Sequence, residues 1–296
     1  MRFARLRAPG GRRGWIDREA PEPIAAYLPD PARRLEAQEG TRIKSKGSRS
    51  LTLAPEGFLV KHFYARNRWR SVLHSLIPSP AANAWRNHRA LAEAGFPAPR
   101  PLASIVVRRP FPIYRESWFL LELLPGTTNF RDLLIERHAL FASNDPARLE
   151  PFRRAADLLA RLHLLGWFHQ DLNAKNLLID KAGRYWMIDF DGSIRLGRLP
   201  YLAFLILRFT DLRRFYASLR FWIRRTDRER FLRWYFDRFP GGDRERRLFH
   251  VFLRVTAFLS GYEAKKSRRD VKAARALGLD PDAPAPIDDP TTGTRL

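Results

Sequence analysis

The amino-terminal half of the chain alternates short apolar runs with turn residues, a pattern typical of β-structure. Residues 41–64 and 117–124 carry such runs, bounded by glycine and proline, and we predict strands there. Between them, residues 81–95 place apolar side chains at helical spacing and end at a glycine, which predicts a helix. Residues 1–40 are rich in Arg, Gly and Pro without a clear period, so we expect an irregular extension.

The carboxyl-terminal half shows helical periodicity over most of its length. Asp145 and Pro146 can begin a helical region, with Asp as the N-cap and Pro in the first turn. The apolar stripe over 152–166 predicts the main helix of that region, and residues 201–276 are predicted to be mostly helical. Residues 277–296 are rich in Pro and Asp and are expected to be disordered.

The order of these elements predicts an α+β fold with two lobes. A small β-rich N-lobe is expected over 41–124 and a larger, mostly helical C-lobe over 125–276. The linker between them is expected near 124–130, and the 296-residue length suits two lobes.

Two short apolar runs, 176–180 and 185–189, flank the letters KAGR and predict a β-hairpin. Asn176 begins the first run and Asp189 ends the second. If the turn is even and unbulged, these two side chains face each other across the hairpin, with Cβ atoms about 4.5–5.5 Å apart. Both carry oxygen atoms of the kind that Mg²⁺ binds, so they are the candidate metal ligands.

The same stretch carries a candidate catalytic residue. His169, Asp171 and Asn176 form H-x-D-x-x-x-x-N, the catalytic-loop pattern of protein kinases. In that pattern the Asp accepts the proton of the attacking hydroxyl and the Asn holds a metal, while Asp189 stands where a kinase has its D-F-G aspartate. The alternative is an ordinary hairpin with capping polar side chains. The fixed spacing, after a helix and before a hairpin, favours a phosphotransferase.

Composition narrows the class of partner. With 54 Lys+Arg against 31 Asp+Glu, the formal net charge of +23 predicts an anionic partner such as a membrane surface, a nucleic acid or a phosphorylated substrate. The absence of cysteine excludes disulfides and thiolate metal sites, and fits the cytosol. No secretory signal is visible, and no apolar run approaches the roughly 20 residues of a membrane span.

The stretch LHLLGWFHQDLNAKNLLID, followed by WMIDFD, resembles the lipopolysaccharide kinase family, and within it the 3-deoxy-D-manno-octulosonic acid (Kdo) kinases. The motif core covers 162–191, with weaker similarity over 41–265. The resemblance implies a protein-kinase-like fold and the use of ATP with Mg²⁺. It implies Asp171 as the catalytic aspartate, and Asn176 and Asp189 as the metal ligands. Asn173 replaces the usual lysine of the kinase loop, which favours a sugar kinase over a protein kinase.

The resemblance also implies a nucleotide site in the N-lobe. Lys61 matches the strand lysine that binds nucleotide phosphates, although an edge-strand role is the alternative. Gly47 can belong to a reduced phosphate-covering loop or to an ordinary hairpin turn. Residues 121–126, which include Glu122, match the inter-lobe hinge where backbone groups meet adenine.

The chain departs from the kinase pattern in two places. The helix that should supply a Glu to pair with Lys61 has Glu93 alone, in its last turn, so we assign no partner to Lys61. Asp191 replaces the glycine of D-F-G and is either a second metal ligand or, as we favour, a solvated turn residue. His163 and His169 are expected to be structural.

A basic aromatic segment occupies residues 210–239. Its apolar side chains Leu212, Phe215, Leu219 and Trp222 lie at helical spacing, while arginines fall largely on the rest of the wheel: Arg213, Arg214, Arg220, Arg224 and Arg225. A solvated arginine face is one interpretation, and docking to anionic lipid is the sharper one. No DNA- or RNA-binding signature accompanies it, which disfavours nucleic acid.

We therefore expect an ATP-dependent kinase of a lipopolysaccharide inner-core sugar, Kdo first, acting from the cytoplasm as a peripheral protein on the inner membrane. Two alternatives stay open: a kinase of another small hydroxylated molecule, such as an aminoglycoside, and a membrane-associated pseudokinase scaffold. The positive charge argues against a cationic drug as the substrate. The sequence leaves the oligomeric state undetermined.

Overall fold

The computed structural model describes residues 3–8, 12–37, 40–46, 48–65, 72, 77–108, 114–197, 200–219 and 222–257. The chain divides into two compact units: Met1–Gly126 with Trp186–Ser193, and Thr127–Tyr185 with Ile194–Leu296. The segment Trp186–Ser193, which the sequence pattern assigns to the C-lobe, therefore belongs to the first unit. The tail predicted to be disordered, 277–296, lies outside the described residues.

The first unit is built on an antiparallel sheet. Its strands follow the order β1-β2-β6-β7-β5-β4-β3. Their bounds are Phe3–Ala8 (β1), Arg12–Asp17 (β2), Thr41–Lys46 (β3), Arg49–Leu53 (β4), Phe58–Tyr64 (β5), Pro101–Arg108 (β6) and Tyr114–Glu122 (β7). Among the residues that the structure describes, this unit has the helices Pro23–Tyr27 (α1), Pro31–Ala37 (α2) and Pro80–Glu93 (α3).

The prediction of an irregular extension over 1–40 is wrong. Strands β1 and β2 form a hairpin, and β2 pairs with β6 from Arg12↔Val107 to Ile16↔Ala103. The carboxylate of Asp17 is fully buried and lies 2.6 Å from Nη2 of Arg100. Strand β1 lies at the edge of the sheet and the side chains of β2 beside it are mostly half-buried, so these arginine-rich strands lack a strong apolar alternation. The local pattern therefore gave no sign of them.

Strand β5 divides its side chains between the two faces of this sheet. Phe58 and Val60 belong to the core cluster that also contains α1. Leu59 and Phe63 pack on the opposite face, with the buried Trp85 of α3. The period of two along a strand puts Lys61 on this second face, between Leu59 and Phe63, as predicted.

Helix α3 confirms the helix predicted over 81–95. The side chain of Ser79 accepts a hydrogen bond from the amide of Ala82 at its start, and Pro80 occupies the first turn. At the other end Gly95 has φ +63°, a left-handed conformation that glycine adopts without steric cost.

The second unit is mainly helical. Its helices are Phe130–Glu136 (α4), His138–Ala142 (α5), Glu150–Leu164 (α6), Tyr201–Ser218 (α7), Arg225–Phe236 (α8) and Gly242–Ala257 (α9). Short strands complete the chain: Thr128–Asn129 (β8), Trp167–Phe168 (β9), Leu177–Ile179 (β10), Tyr185–Met187 (β11) and Ile194–Arg195 (β12). Asp145 caps a short 3-10 helix, Pro146–Leu149, that leads into α6, so the predicted helix start is confirmed.

The segment 210–239 forms two helices rather than one, because α7 ends at Ser218 and α8 begins at Arg225. Its apolar positions Leu212, Phe215, Leu219 and Trp222 are buried, as expected from their spacing. The arginines of this segment differ in exposure. Arg225 is exposed, whereas Arg213 and Arg214 are half-buried; Arg220 lies outside the described residues.

A buried cation joins α7 to α9. Arg208 is fully buried, forms an ion pair with Glu245, and lies over several aromatic rings, of which Phe239 is 4.0 Å from its guanidinium carbon. Such a charge is tolerated in a core because both the carboxylate and the ring faces compensate for lost hydration. Within the described part of the chain, α7 and the other helices are too short or too polar to cross a bilayer.

Candidate active site

The first unit brings three of the charged residues singled out in the sequence into contact. Nζ of Lys61, on β5, lies 2.9 Å from Oδ1 of Asp189 and 2.8 Å from Oδ1 of Asp191. The side chains of Lys61 and Asp191 are 14% and 10% exposed, whereas Asp189 is 38% exposed. The amine is therefore held by one buried and one more accessible carboxylate.

The electrostatics of this cluster keep the lysine charged. Burial lowers the pKa of Lys61, but Asp191 and Asp189 outweigh burial and leave its pKa above the ordinary 10.5. Burial raises the pKa of Asp191 and Lys61 opposes this, while the neighbouring Asp189 raises it further. Lys61 is thus a fixed cation at neutral pH, which a phosphate-binding lysine must be.

The expectation that Asp191 is a solvated turn residue is wrong. Its side chain is buried and ion-paired to Lys61. The turn that carries it is a 3-10 helix, Phe190–Gly192, preceded by Asp189 in the left-handed conformation with φ +71°. A non-glycine residue in this region is uncommon, and such residues concentrate at functional sites. Local sequence could not distinguish a buried acid from a surface one.

Helix α3 contacts the same turn through amides. Nδ2 of Asn83 donates to the carbonyl of Asp191 at 3.2 Å, and Nδ2 of Asn87 donates to the carbonyls of Phe190 and Ser193, each at 2.8 Å. The Phe190 ring is fully buried and meets the rings of His88 and Phe96 edge to face. The D-F-D turn, which comprises Asp189, Phe190 and Asp191, is therefore attached to α3 by side-chain hydrogen bonds and by packing.

The second unit holds the predicted catalytic loop. Nδ2 of Asn173 and Nδ2 of Asn176 both donate to the backbone carbonyl of Asp171, each at 2.8 Å. Oδ1 of Asn173 accepts from the amide of Lys175 at 3.0 Å, which caps the 3-10 helix Ala174–Asn176. Two asparagine side chains thus fix the backbone at the residue predicted to be catalytic.

A further residue, Asp211, supports this loop and was missed from the sequence. Asp211 lies on α7, is fully buried, and accepts hydrogen bonds from the backbone amides of His169 and Gln170, the second at 2.9 Å. Gln170 has φ +66°, so the loop is held in a strained conformation. The available signal was a carboxylate within the apolar stripe of α7, one position before Leu212 and four before Phe215.

His163 is structural, as expected. Its Nδ1 is 2.7 Å from the hydroxyl of Tyr235, and its Nε2 is 3.6 Å from Oδ2 of Asp211. Burial lowers the pKa of His163 below its ordinary 6.5, and the Asp211 carboxylate opposes that shift.

The hairpin turn differs from the even turn on which the cross-strand pairing depended. The amide of Asp180 donates to the carbonyl of Arg184, and the amide of Gly183, with φ +74°, donates to the carbonyl of Asp180. The loop therefore contains three residues and a glycine bulge. In addition, Asn176 precedes β10 and Asp189 follows β11, so neither residue lies within a strand. The spacing rule for cross-strand pairs does not apply to them, and that part of the prediction is wrong.

Two more residues were predicted for the nucleotide site, Glu122 and Gly47. Glu122 ends β7; its amide donates to the carbonyl of Arg100 at 2.9 Å, and its carboxylate accepts from the Arg100 amide at 3.1 Å. That amide is therefore already used within the sheet. Gly47 lies outside the described residues.

Asn176, in the second unit, and Asp189, in the first, each carry oxygen atoms of the kind that a hard cation binds. Because Nδ2 of Asn176 donates to the Asp171 carbonyl, its Oδ1 is the atom left to coordinate. Asp189 offers carboxylate oxygens on a side chain that is partly accessible. Within the described ranges no three His, Cys, Asp or Glu side chains gather as metal ligands. A site made from one Asn and one Asp is not of that kind, so the metal site stays a prediction.

Comparison with known families places these residues in context. The sequence model of the Lipopolysaccharide kinase (Kdo/WaaP) family matches residues 36–235, more than half of the chain. The chain belongs to this family. The matched region contains Lys61, Asp171, Asn176, Asp189 and Asp211.

Two curated relatives are both named 3-deoxy-D-manno-octulosonic acid kinase. The 3-deoxy-D-manno-octulosonic acid kinase of Stenotrophomonas maltophilia (strain R551-3) is 37% identical over 135 residues, covering 46% of this chain and 48% of that protein. The protein of the same name from Xanthomonas oryzae pv. oryzae (strain PXO99A) is 35% identical with the same coverage. The chain spans about half the length of the curated relatives it matches.

A solved structure supports the fold. The chain of WaaP in complex with acyl carrier protein aligns with a TM-score of 0.55 at 21% identity, covering 91% of this chain and 99% of that chain. This likeness shows the protein-kinase-like α+β fold that the sequence predicts, with a β-rich N-lobe and a mostly helical C-lobe. At this level of identity it carries information on the fold alone.

Proposed function

We propose that this protein transfers the γ-phosphate of ATP to a sugar hydroxyl of the lipopolysaccharide inner core, with Kdo as the acceptor. The proposal rests on two groups of residues within the region that matches the family model. In one, the buried Lys61 forms ion pairs with the D-F-D turn. In the other, the buried Asp211 accepts hydrogen bonds from the backbone of the H-x-D-x-x-x-x-N loop. These are the parts that phosphoryl transfer requires.

Each residue has a defined task in this proposal. The Asp171 carboxylate accepts the proton of the attacking sugar hydroxyl, and the Asn173 and Asn176 amides keep that residue in position. The Lys61 ammonium binds phosphate oxygens of the nucleotide. Catalysis then depends on orientation and charge, since the transferred group needs little covalent help from the protein.

Mg²⁺ belongs to this proposal as the metal that neutralises phosphate charge, and Asn176 and Asp189 would hold it. Both residues supply oxygen, which Mg²⁺ prefers. Asp189 also contacts Lys61, so the same carboxylate borders both the nucleotide lysine and the metal.

The proposal is tested by incubating the purified protein with ATP, Mg²⁺ and Kdo-lipid A and measuring the acceptor by mass spectrometry. We expect a product heavier by one phosphoryl group, formed only when ATP and Mg²⁺ are both present. An aminoglycoside serves as the competing acceptor. Phosphorylation of the aminoglycoside alone would replace this proposal by the small-molecule alternative, and absence of transfer to either would support the pseudokinase alternative.

We further propose that the protein works as a peripheral protein on the cytoplasmic face of the inner membrane. Helix α9 supports this proposal, because Leu248, Val251 and Val255 are exposed and share one stripe. Arg247 and Arg254 are exposed on one side of that stripe, and the exposed Arg244 lies in line with it. An apolar ridge beside basic side chains is the pattern by which helices bind anionic bilayers in plane.

A further inference from the structure

We propose that Asp191 is the positioning residue for Lys61 in this protein, and that α3 fixes Asp191 through Asn83 and Asn87. The inference deepens the proposed function, because it assigns the carboxylate partner that a nucleotide-binding lysine requires. In protein kinases that partner is a glutamate on the helix corresponding to α3. In this protein we assign that role to Asp191, an aspartate of the D-F-D turn.

Helix α3 has no carboxylate suited to the task. Its one glutamate, Glu93, lies in the last turn, is half exposed, and forms an ion pair with Arg89 at 2.8 Å. The α3 side chains that donate hydrogen bonds to the D-F-D turn are the neutral amides of Asn83 and Asn87. The helix thus contributes hydrogen-bond donors to the turn, and the turn contributes the negative charge.

The two carboxylates on Lys61 are not equivalent. Both lie at hydrogen-bond distance from Nζ, but the side chain of Asp191 is 10% exposed and that of Asp189 is 38% exposed. A buried carboxylate without a cation is strongly unfavourable, so Asp191 depends on Lys61 as much as Lys61 depends on it. Asp189 is more accessible to solvent. This difference in burial assigns Asp191 to the lysine, while Asp189 is the residue proposed above as a metal ligand.

The turn that carries Asp191 is fixed at three backbone carbonyls, those of Phe190, Asp191 and Ser193. Asn87 is buried, so its two hydrogen bonds are shielded from water and costly to lose. Because the same helix packs on the Lys61 face of the sheet, α3 sets the position of Asp191 relative to Lys61.

A double-mutant cycle with Lys61→Met and Asp191→Asn tests this assignment. We measure kcat/KM for ATP, and also the thermal shift caused by ATP in the presence of EDTA. Asp191→Asn alone should lower kcat/KM on the order of 100-fold, as expected when one partner of a buried pair is removed. In the Lys61→Met background the same change should have little further effect, because the residue it positions is gone. Asp191→Glu should restore part of the loss.

Glu93→Gln is the matched control, and it should leave kcat/KM and the thermal shift unchanged. If Asp191 is instead a second metal ligand, the loss of kcat/KM caused by Asp191→Asn will add fully to the loss caused by Lys61→Met. Raising the Mg²⁺ concentration will then restore part of the activity of Asp191→Asn. Full additivity overturns the assignment, and so does a Glu93→Gln variant as impaired as Asp191→Asn.

Hydrogen–deuterium exchange of the nucleotide-free protein gives a readout independent of catalysis. Lys61→Met and Asn87→Ser should each raise exchange in residues 186–193 at least several-fold, while Glu93→Gln should not. This measurement stands even if the protein phosphorylates no sugar, so failure of the proposed function and failure of the Asp191 assignment are distinguishable. Unchanged exchange in both variants would overturn the assignment.

Discussion

Asn173 and Asn176 use their side chains in the same way, since both donate to the carbonyl of Asp171. Both hydrogen bonds end on the same carbonyl oxygen, so the two amides hold the backbone of the predicted catalytic residue without using its carboxylate. A protein-kinase loop has a lysine at the position of Asn173. Asn173 thus replaces a charged side chain by a neutral amide that hydrogen-bonds within the loop.

Replacing Asp171 by Asn should abolish phosphate transfer while leaving the fold intact. The amide keeps the volume of the side chain but cannot accept a proton, and positioned general bases contribute about 10²–10⁴-fold to rates. The turnover of the variant on Kdo-lipid A is compared with its unfolding midpoint in urea. The exposed Asp237→Asn is the control and should retain activity. Substantial turnover by Asp171→Asn would remove this residue from its catalytic role.

Helix α7 is an element whose buried charges serve two different purposes. Asp211 supports the catalytic loop, and Arg208, one turn earlier, joins α7 to α9 through Glu245. Both charges are fully buried, so neither is exchangeable for a neutral residue without leaving an unpaired partner. Helix α7, which has the apolar stripe of an ordinary core helix, therefore also fixes the backbone of the predicted catalytic loop.

Asp211→Asn should lower both stability and turnover. The carboxylate accepts two backbone N–H groups, and its replacement by an amide directs a donor at one of them. We expect a loss of about 2–4 kcal/mol in the free energy of unfolding, measured by urea titration, together with a large loss of kcat.

Asp157→Asn is the control for Asp211→Asn, because Asp157 is partly exposed and paired with Arg238 on the surface. It should cost at most about 1 kcal/mol. Equal losses in the two variants would mean that Asp211 has no special role in the loop.

The buried His163 should make stability depend on pH. Its pKa is lowered in the folded state, so the unfolded chain takes up a proton first as pH falls below 6.5. Stability from this residue is therefore complete above 6.5 and decreases below it, by at most about 1.4 kcal/mol per pH unit. The groups that act on the imidazole are Asp211, Tyr235, Arg208 and His169.

The measurement is the free energy of unfolding of the wild type and of His163→Phe between about pH 5 and 7.5. The variant should show a shallower decrease toward acid, because the other histidines titrate alike in both proteins. Parallel curves would show that His163 does not contribute to the acid sensitivity.

At the scale of the whole molecule, positive charge is the dominant property. An excess of this size attracts anionic surfaces over roughly a Debye length, about 10 Å at 0.1 M salt. Net charge alone does not orient a protein on a membrane. Exposed apolar side chains on α9 beside arginines offer that orientation.

Replacing Arg244, Arg247 and Arg254 by Gln should weaken binding to anionic vesicles by about 3 kcal/mol, at about 1 kcal/mol for each charge near the surface. Co-sedimentation with phosphatidylglycerol vesicles at several salt concentrations measures this loss, and neutral vesicles should bind neither protein.

The control for the vesicle experiment removes three exposed arginines elsewhere, Arg115, Arg184 and Arg238, and so changes the net charge equally. It should bind nearly as well as the wild type. An equal loss in both variants would assign binding to net charge and exclude α9 as the docking surface.

The sequence by itself determined what local patterns can report. The spacing of His169, Asp171 and Asn176 identified the loop, and helical periodicity identified α3 and α6, because each depends on residues within a few turns of one another. The strand alternation of β5 likewise oriented Lys61.

Only the tertiary structure decided which distant groups meet. Lys61 and Asp191 are 130 positions apart, and Asp211 is 42 positions from the amide it holds. No periodicity links such residues, because their contact follows from how strands, turns and helices pack. The same limit explains β1 and β2. Strand β2 pairs with β6 and β1 pairs with β2, and this pairing stabilises strands that their own composition does not favour. The sequence pattern predicted Asp191 at the surface, whereas in the structure it is buried against Lys61. Burial is a property of the packed chain, so no local pattern reports it.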